Sequence, residues 1–196
     1  DLANTRYSPL DQIDASNFNS LQVAWRFKPD TFGARPEYDL EATPLVIKGV
    51  MYTTVGTRRD VVAMDAATGE LLWMSRLEEG KRAQTAPRRL SGRGLSYWTD
   101  GKEERIFYVT IGYQLVALDA RTGQRVAGFG EGGVIDLRQN DDQDIDLSEG
   151  DIGLHATPCV TQDVVIVGAA HAQASWPRHH RNIVGYVRGF DVRTGK

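Results

Sequence analysis

A short sequence frame recurs along this chain and limits its fold more than any other feature. The frame is Ala-x-Asp-x-x-Thr-Gly, and it occupies residues 63–69, 117–123 and, with glycine replacing the alanine, 189–195. In a tight turn the aspartate can accept hydrogen bonds from the backbone that follows, while the glycine supplies the positive φ that the turn requires. Each copy is therefore predicted to be a turn between two β-strands.

A tryptophan follows the first copy at a spacing that also occurs near the start of the chain. Trp73 stands eight residues after Asp65, and Trp25 stands eight residues after Asn17, so a degenerate copy precedes the other three. One such frame alone would indicate only a common hairpin turn. Repetition near the roughly 40–50-residue period of a propeller blade, lengthened by insertions, is typical of a repeat array.

Strand signals fill the intervals between these turns. Short apolar segments bounded by turn residues predict strands, and four of them form one antiparallel blade. Nothing in the sequence shows the sustained 3.6-residue apolar period of a helix. The predicted strands are 21–27 in a lead-in, 43–47, 50–55, 60–65 and 71–75 in one blade, 94–98, 105–110, 114–119 and 124–129 in the next, and 156–161, 164–169 and 185–192 in a third.

The chain is accordingly predicted to be all-β, a β-propeller of four-stranded antiparallel blades with tryptophan-docking repeats. A lead-in and strand occupy 1–40, blades occupy 41–76 and 85–130, an insertion loop occupies 131–153, and an incomplete blade occupies 154–196. In the second blade Ala127 stands at the tryptophan position, so the docking residue is either lost or shifted to Phe129. Because a propeller protects its strand edges by closing, about three blades are expected to be a fragment or natural truncation of a larger ring.

The composition is that of an ordinary globular chain, and it excludes several kinds of site. A net charge of -3 argues weakly against a nucleic-acid or membrane-surface partner. No apolar run approaches the roughly 18 residues of a membrane-spanning helix. The single cysteine, Cys159, excludes an internal disulfide and is expected in the core. The acidic run 141–146 lacks the pattern of an EF-hand and is expected to be a solvated loop.

Taken together, these motifs resemble the pyrroloquinoline quinone (PQQ) dehydrogenases, which are eight-bladed propellers with the same docking frame. Residues 4–9, Asn-Thr-Arg-Tyr-Ser-Pro, resemble the opening segment of that family, and residues 41–46, Glu-Ala-Thr-Pro-Leu-Val, resemble its first inner strand. Residues 93–97 and 187–195 look closest to the membrane-bound glucose dehydrogenase branch. The resemblance covers essentially the whole chain, but only about the first three blades of the ring.

The resemblance implies a set of cofactor-binding residues. Arg93 matches the family arginine that contacts a cofactor carboxylate, a task that suits a planar guanidinium. Glu41 matches the family glutamate near the quinone, and His155 falls where relatives place a cofactor-contacting hydroxyl. The alternatives are a surface arginine in a glycine-flanked turn, a solvated strand-edge carboxylate and a polar loop histidine. A small-residue stretch that passes the quinone in relatives aligns with Ala170, His171 and Ala172.

Two departures from the family pattern bear on catalysis. Arg88 and Arg89 occupy the region where the alcohol-oxidising branch has adjacent cysteines, which favours the glucose and polyol branch or a divergent subgroup. The family's catalytic aspartate, calcium asparagine and stacking tryptophan belong to later blades. This chain is therefore expected to hold no catalytic residue and to be inactive alone. Gln173 replaces a calcium-binding glutamate without its charge, and it is not expected to be a ligand; the metal ligands are left unassigned.

For the full-length protein, the resemblance implies a PQQ- and Ca²⁺-dependent dehydrogenase that oxidises a sugar, polyol or alcohol. Electrons would pass to a respiratory acceptor such as ubiquinone or cytochrome c, and the protein would be periplasmic, either free or membrane-associated. The alternative is a non-enzymatic propeller that acts as a scaffold or assembly factor. Such a scaffold would share the docking repeats, but it would have no reason to carry Glu41, Arg93 and His155 near its axis.

Overall fold

The computed structural model describes residues 10–28, 32, 42–89, 93–154, 156–171 and 183–196. Its strands form three antiparallel sheets in chain order, two of four strands and one of three, which agrees with the predicted all-β fold class. Within the described residues, the helices are a single 3₁₀ turn at Phe18–Ser20 and the short α1 at Lys81–Thr85. The first blade contains β1 (Leu45–Ile47), β2 (Val50–Val55), β3 (Asp60–Asp65) and β4 (Leu71–Ser75); the second contains β5 (Ser96–Thr99), β6 (Glu104–Val109), β7 (Gln114–Asp119) and β8 (Val134–Asp136); the third contains β9 (Cys159–Thr161), β10 (Val164–Val167) and β11 (Arg188–Asp191).

The repeated frame forms the same turn three times. Asp65 Oδ1 accepts the backbone N–H groups of Ala67 at 2.9 Å and Thr68 at 2.8 Å, and Gly69 has φ +74°. The turns at Asp119 and Asp191 repeat these bonds. The opening copy is different, because Asn17 begins the 3₁₀ turn and its side chain accepts the N–H of Asp14 instead.

Each of the first two frame glycines is covered by a tryptophan of the preceding blade or lead-in. The Trp25 indole N–H donates to the Ala66 carbonyl at 3.1 Å, and the Trp73 indole N–H donates to the Ala120 carbonyl at 3.1 Å. A Cβ at Gly69 would lie 2.6 Å from the Trp25 ring, so only glycine allows the ring to approach. Trp25 therefore docks as predicted, although residues 21–28 form no ladder with any described strand.

The junction between the second and third blades is built differently. A Cβ at Gly195 would lie 2.7 Å from Ile135 Cδ1, and Gly130 donates its N–H to the Thr194 carbonyl at 2.9 Å. Phe129 instead packs in the core against Phe107, with ring centroids 5.5 Å apart. The docking tryptophan is therefore lost, and the alternative that its role shifts to Phe129 is wrong.

The fourth strand of the second blade lies further along the chain than predicted. Residues 124–129 form only an isolated bridge, whereas Val134–Asp136 pairs with β7. Gly130, Gly132 and Gly133 all have positive φ and turn the chain back towards the sheet. The pairing of β7 is thus decided by this glycine-rich turn, which strand propensity does not reveal.

Cys159 is exposed, so the expectation that it lies in the core is wrong. It begins β9, an inner strand that pairs with β10 on one side only among the described strands. No described helix is long and apolar enough to span a membrane.

Strand alternation gives each blade two distinct ends. Because neighbouring strands run antiparallel, the starts of β1, β5 and β9 lie at the same end as the β2–β3, β6–β7 and β10–β11 connections. We call this end the strand-start face. The frame turns lie at the opposite end, the repeat-turn face.

Candidate cofactor site

Of the residues expected to contact a cofactor, the three that the structure describes, Arg93, Ala170 and His171, lie on the strand-start face. Arg93 lies three residues before β5, while Ala170 and His171 follow β10. Glu41 and His155 each stand four residues before the inner strand of their blade in the sequence, and with Ala172 they lie outside the described residues. The strand order therefore brings positions far apart in the sequence to one end of successive blades.

Arg93 is buried, with 1% of its surface exposed, which argues against a surface arginine. Its guanidinium donates to the Gly56 carbonyl at 3.0 Å, and its own carbonyl accepts the Thr54 hydroxyl at 2.7 Å. Both partners lie at the end of β2 or just after it, in the neighbouring blade. Arg93 is thus fixed between two blades where the inner strand begins.

A second buried arginine, Arg59, belongs to the same cluster and was not found from the sequence. It is 2% exposed, and it donates to the carbonyls of Val109 at 3.1 Å and Thr110 at 3.2 Å. Burial lowers the pKa of Arg59 to about 10, and the positive charge of Arg93 adds to this effect. The signal available in the sequence was weak, because Arg59 and the exposed Arg58 are adjacent in the turn between β2 and β3, where no strand alternation distinguishes buried from exposed positions.

Glu79 places a carboxylate beside these arginines. It accepts the Thr110 hydroxyl at 2.6 Å and the Gly112 N–H at 2.9 Å. Burial raises the pKa of Glu79, while these two bonds and the charges of Arg82 and Arg59 oppose that rise. The cluster therefore combines cations with a partly desolvated anion, as in an electrostatically organised binding site.

His171 is held in one orientation. Its Nδ1 lies 2.6 Å from the Asp151 carbonyl oxygen, and a carbonyl can only accept, so Nδ1 carries the hydrogen. The lone pair of the neutral ring is then on Nε2. The main chain is fixed as well, because Ala170 and Gly153 exchange two hydrogen bonds of 2.8 Å.

Arg88 and Arg89 differ sharply in their surroundings. Arg88 is half-buried, and it donates from Nη2 to the His171 carbonyl at 2.6 Å. Its own carbonyl accepts a bond of 2.7 Å from Arg59. Arg89 is exposed. One of these two adjacent arginines is therefore part of the buried cluster.

The described residues hold no group of three or more histidine, cysteine or acidic side chains arranged for a metal ion. In the acidic run, Asp146 Oδ1 is occupied by the N–H groups of Ser148 and Glu149, both at 2.7 Å. These contacts fit a self-capped loop turn rather than a calcium site.

Comparison with known proteins gives the family of the chain. Residues 1–196 match the model described as PQQ: Glucose/ethanol/alcohol dehydrogenase, beta-propeller domain. The chain therefore belongs to the family of PQQ dehydrogenase β-propellers, and its expected fold class is confirmed.

Two similar sequences belong to enzymes that oxidise alcohols. The chain is 34% identical to quinohemoprotein alcohol dehydrogenase ADH IIB of Pseudomonas putida, over 99% of this chain and 24% of that protein. It is 27% identical to the glycerol dehydrogenase large subunit of Gluconobacter oxydans, over 100% of this chain and 26% of that protein. The chain thus spans about a quarter of the length of these relatives.

Solved structures agree with this assignment. Quinohemoprotein alcohol dehydrogenase ADHIIG of Pseudomonas putida HK5 matches with a TM-score of 0.72 and 31% identity, over 97% of this chain and 24% of that one. The quinohemoprotein alcohol dehydrogenase of Comamonas testosteroni matches with a TM-score of 0.72 and 27% identity, over 100% and 25% of the two chains. The closer relation to the membrane-bound glucose dehydrogenase branch stays a prediction.

Proposed function

We propose that this chain forms part of the PQQ-binding ring of a dehydrogenase that oxidises an alcohol, polyol or sugar. The observation that carries the proposal is the cluster of Arg93, Arg59 and Arg88 on the strand-start face, where two of the three guanidinium groups are almost completely buried. Arg93 and Arg59 each donate to backbone carbonyls of a neighbouring blade, and the positive charge that they gather at this face would favour an anionic cofactor.

The residues present suit a polycarboxylate quinone. PQQ carries three carboxylates, and a guanidinium binds a carboxylate through charge-assisted, often bidentate hydrogen bonds. Arg93 would hold one carboxylate, and the His171 ring would offer a hydrogen-bonding nitrogen. The small side chains of Ala170 and Ala172 would leave room for the ring system. When bound, the quinone supplies the two-electron acceptor that oxidises the alcohol carbon, and the protein supplies orientation and electrostatics.

We also propose Ca²⁺ as the second cofactor. The described residues provide no carboxylate cluster for it, so its ligands would come from outside them. A europium-containing methanol dehydrogenase is among the similar structures, with a TM-score of 0.71 and 27% identity, over 98% of this chain and 29% of that one. Metal reconstitution should therefore compare Ca²⁺ with a lanthanide.

Electron transfer and location complete the proposal. We propose that electrons leave to ubiquinone or cytochrome c and that the full-length protein works in the periplasm. The names of two relatives specify quinohemoproteins, which supports a respiratory role. The catalytic base would come from outside this chain.

The test is PQQ titration of the full-length protein in its apo form, followed by quinone fluorescence and dye-linked alcohol oxidation. We expect saturable binding, and we expect Arg93→Ala to weaken it at least tenfold because a charge-assisted contact is lost. Arg121→Ala is the control, because Arg121 is exposed on the repeat-turn face. Full-length protein that binds no PQQ would favour the scaffold alternative instead.

A further inference from the structure

Arg88 lies at the centre of a series of hydrogen bonds that joins all three blades on the strand-start face. Arg59 of the first blade donates to the Arg88 carbonyl, and Arg88 donates to the His171 carbonyl of the third. Arg59 also bonds the end of β6 in the second blade, at Val109 and Thr110. No single blade contains the partners of this arrangement.

We infer that Arg88 is a positioning residue for the cofactor site, acting through His171. This inference rests on the proposed function, since it concerns the same site. Arg88 does not replace Arg93 as a contact to a carboxylate. It fixes the segment that carries Ala170 and His171, so that the His171 ring presents Nε2 in one place.

Arg59 holds the backbone of Arg88 in place. The Arg59 Nη2 to Arg88 carbonyl distance is 2.7 Å, and Arg59 is almost completely buried. A planar guanidinium that reaches three carbonyls from two segments leaves its partners little freedom. The backbone at Arg88 is therefore anchored independently of its own side chain.

The side chain of Arg88 contacts the third blade. The bond from Nη2 to the His171 carbonyl, at 2.6 Å, is charge-assisted and short. Arg88 also packs over Gly153, where a Cβ would lie 3.6 Å from Arg88 Cβ and 3.4 Å from Pro87 Cγ. Arg88 therefore bonds one segment of the Gly153–Ala170 bridge, at His171, and lies beside the other, at Gly153.

The orientation of the His171 ring depends on the same backbone segments. The Asp151 carbonyl that fixes Nδ1 lies two residues before Gly153, in the segment that Arg88 covers. Movement of either segment would change the distance from Nδ1 to that carbonyl, and so both the ring orientation and its tautomer. Loss of the Arg88 side chain should thus change the position of His171 Nε2, although Arg88 does not contact that nitrogen.

The chain offers a matched control in Arg89. It is exposed, and it makes no hydrogen bond or ion pair with any described residue. Arg88→Gln and Arg89→Gln change the net charge equally, at adjacent positions. In the full-length protein we expect Arg88→Gln to weaken PQQ binding roughly tenfold and Arg89→Gln to change it less than twofold. Arg88→Lys, which keeps a charged donor, should recover part of the loss.

A double-mutant cycle separates positioning from general destabilisation. His171→Ala removes the ring but keeps the carbonyl, so adding Arg88→Gln to it should cause no further loss of PQQ affinity. Additive losses, or equal affinities of Arg88→Gln and Arg89→Gln, would overturn the inference while leaving the proposed function intact. Absence of PQQ binding by the unsubstituted protein would overturn both. If Arg88→Gln does not fold, Arg88→Lys is compared with Arg89→Lys, and a loss in the former alone supports the inference.

Discussion

The indole ring of Trp73 lies directly on Gly123, and a Cβ added to that glycine would be 2.4 Å from the ring. The same indole donates its N–H to the Ala120 carbonyl at 3.1 Å. One side chain of the previous blade thus contacts both Ala120, the first residue after β7, and Gly123, the last residue of the frame. This contact is the means by which a local turn becomes a junction between blades.

Gly123→Ala should destabilise the protein through both backbone strain and a clash. Gly123 has φ +70°, and the added methyl group would enter the Trp73 ring. We expect the free energy of unfolding to fall by about 2–4 kcal/mol, from the cost of the strained φ plus overpacking. Urea denaturation of the full-length protein, followed by tryptophan fluorescence, measures this change.

Gly49→Ala is the control for the strain alone. Gly49 has φ +81°, yet an added Cβ would meet nothing within 4 Å. Its cost should be about 1 kcal/mol. Equal costs for Gly49→Ala and Gly123→Ala would show that the ring contact contributes nothing.

Trp73 and Tyr52 should behave cooperatively, because both donate to the same buried carbonyl. The Tyr52 hydroxyl lies 3.2 Å from the Ala120 oxygen, beside the Trp73 bond. After Trp73→Phe or Tyr52→Phe alone, this oxygen still accepts one hydrogen bond, so each substitution should lower the free energy of unfolding by about 1 kcal/mol. The double substitution leaves it none and should cost about 1 kcal/mol more than the sum. Strict additivity in thermal and urea unfolding would contradict this view.

The contribution of Asp65 to the stability of its turn should be lost in acid. Hydrogen bonds from the Thr68 backbone N–H and the Thr68 hydroxyl hold the pKa of Asp65 below its ordinary 3.8. A carboxyl whose pKa is depressed by folding stabilises the protein above the unfolded pKa, and this contribution is lost as the pH falls through the folded value. Asp65→Asn cannot ionise. The difference in the free energy of unfolding between the unsubstituted protein and Asp65→Asn should therefore become smaller as the pH falls from about 6 to about 3, measured by urea unfolding. A difference that does not change with pH would refute the prediction.

Arg105 should stabilise the junction that lacks a docking tryptophan. It is 6% exposed, and it donates to the carbonyls of Val192 at 2.8 Å and Arg193 at 2.9 Å, across the second and third blades. Its guanidinium also lies 5.6 Å from the centroid of the Trp98 ring. Arg105→Met leaves two carbonyls without this donor, and we expect a loss of about 2–3 kcal/mol. The exposed Arg121→Met should change stability by less than about 0.5 kcal/mol, measured by the same unfolding transitions.

Local chemistry explains why much of this fold was predictable. The strands β2, β3, β4 and β7 have the bounds expected from apolar runs between turn signals. The three frame turns form as expected, because an aspartate, a threonine and a glycine within seven residues satisfy the backbone of the turn by themselves. The docking of Trp73 was also predictable, since its offset from Asp65 fixes its place on the next strand.

Other features were decided by partners distant in the sequence. β8 formed at Val134–Asp136 because a glycine-rich turn presented that segment, rather than 124–129, to β7. Ile135 took the place of tryptophan against Gly195, which no local pattern indicates. Cys159 is exposed on a strand that pairs on one side only among the described strands, although its apolar neighbours suggested a core position.

Some features of the candidate site were likewise predictable from the sequence, and others depended on the tertiary structure. From the sequence alone we could predict that Glu41, Arg93 and His155 stand shortly before inner strands. Each belongs to a motif that resembles a family motif at that place in a blade. Only the tertiary structure decided that Arg59 and Arg88 join Arg93, and that the His171 ring is held through Nδ1. Burial and hydrogen bonding depend on backbone groups brought together from three blades, and no short stretch of sequence contains that information.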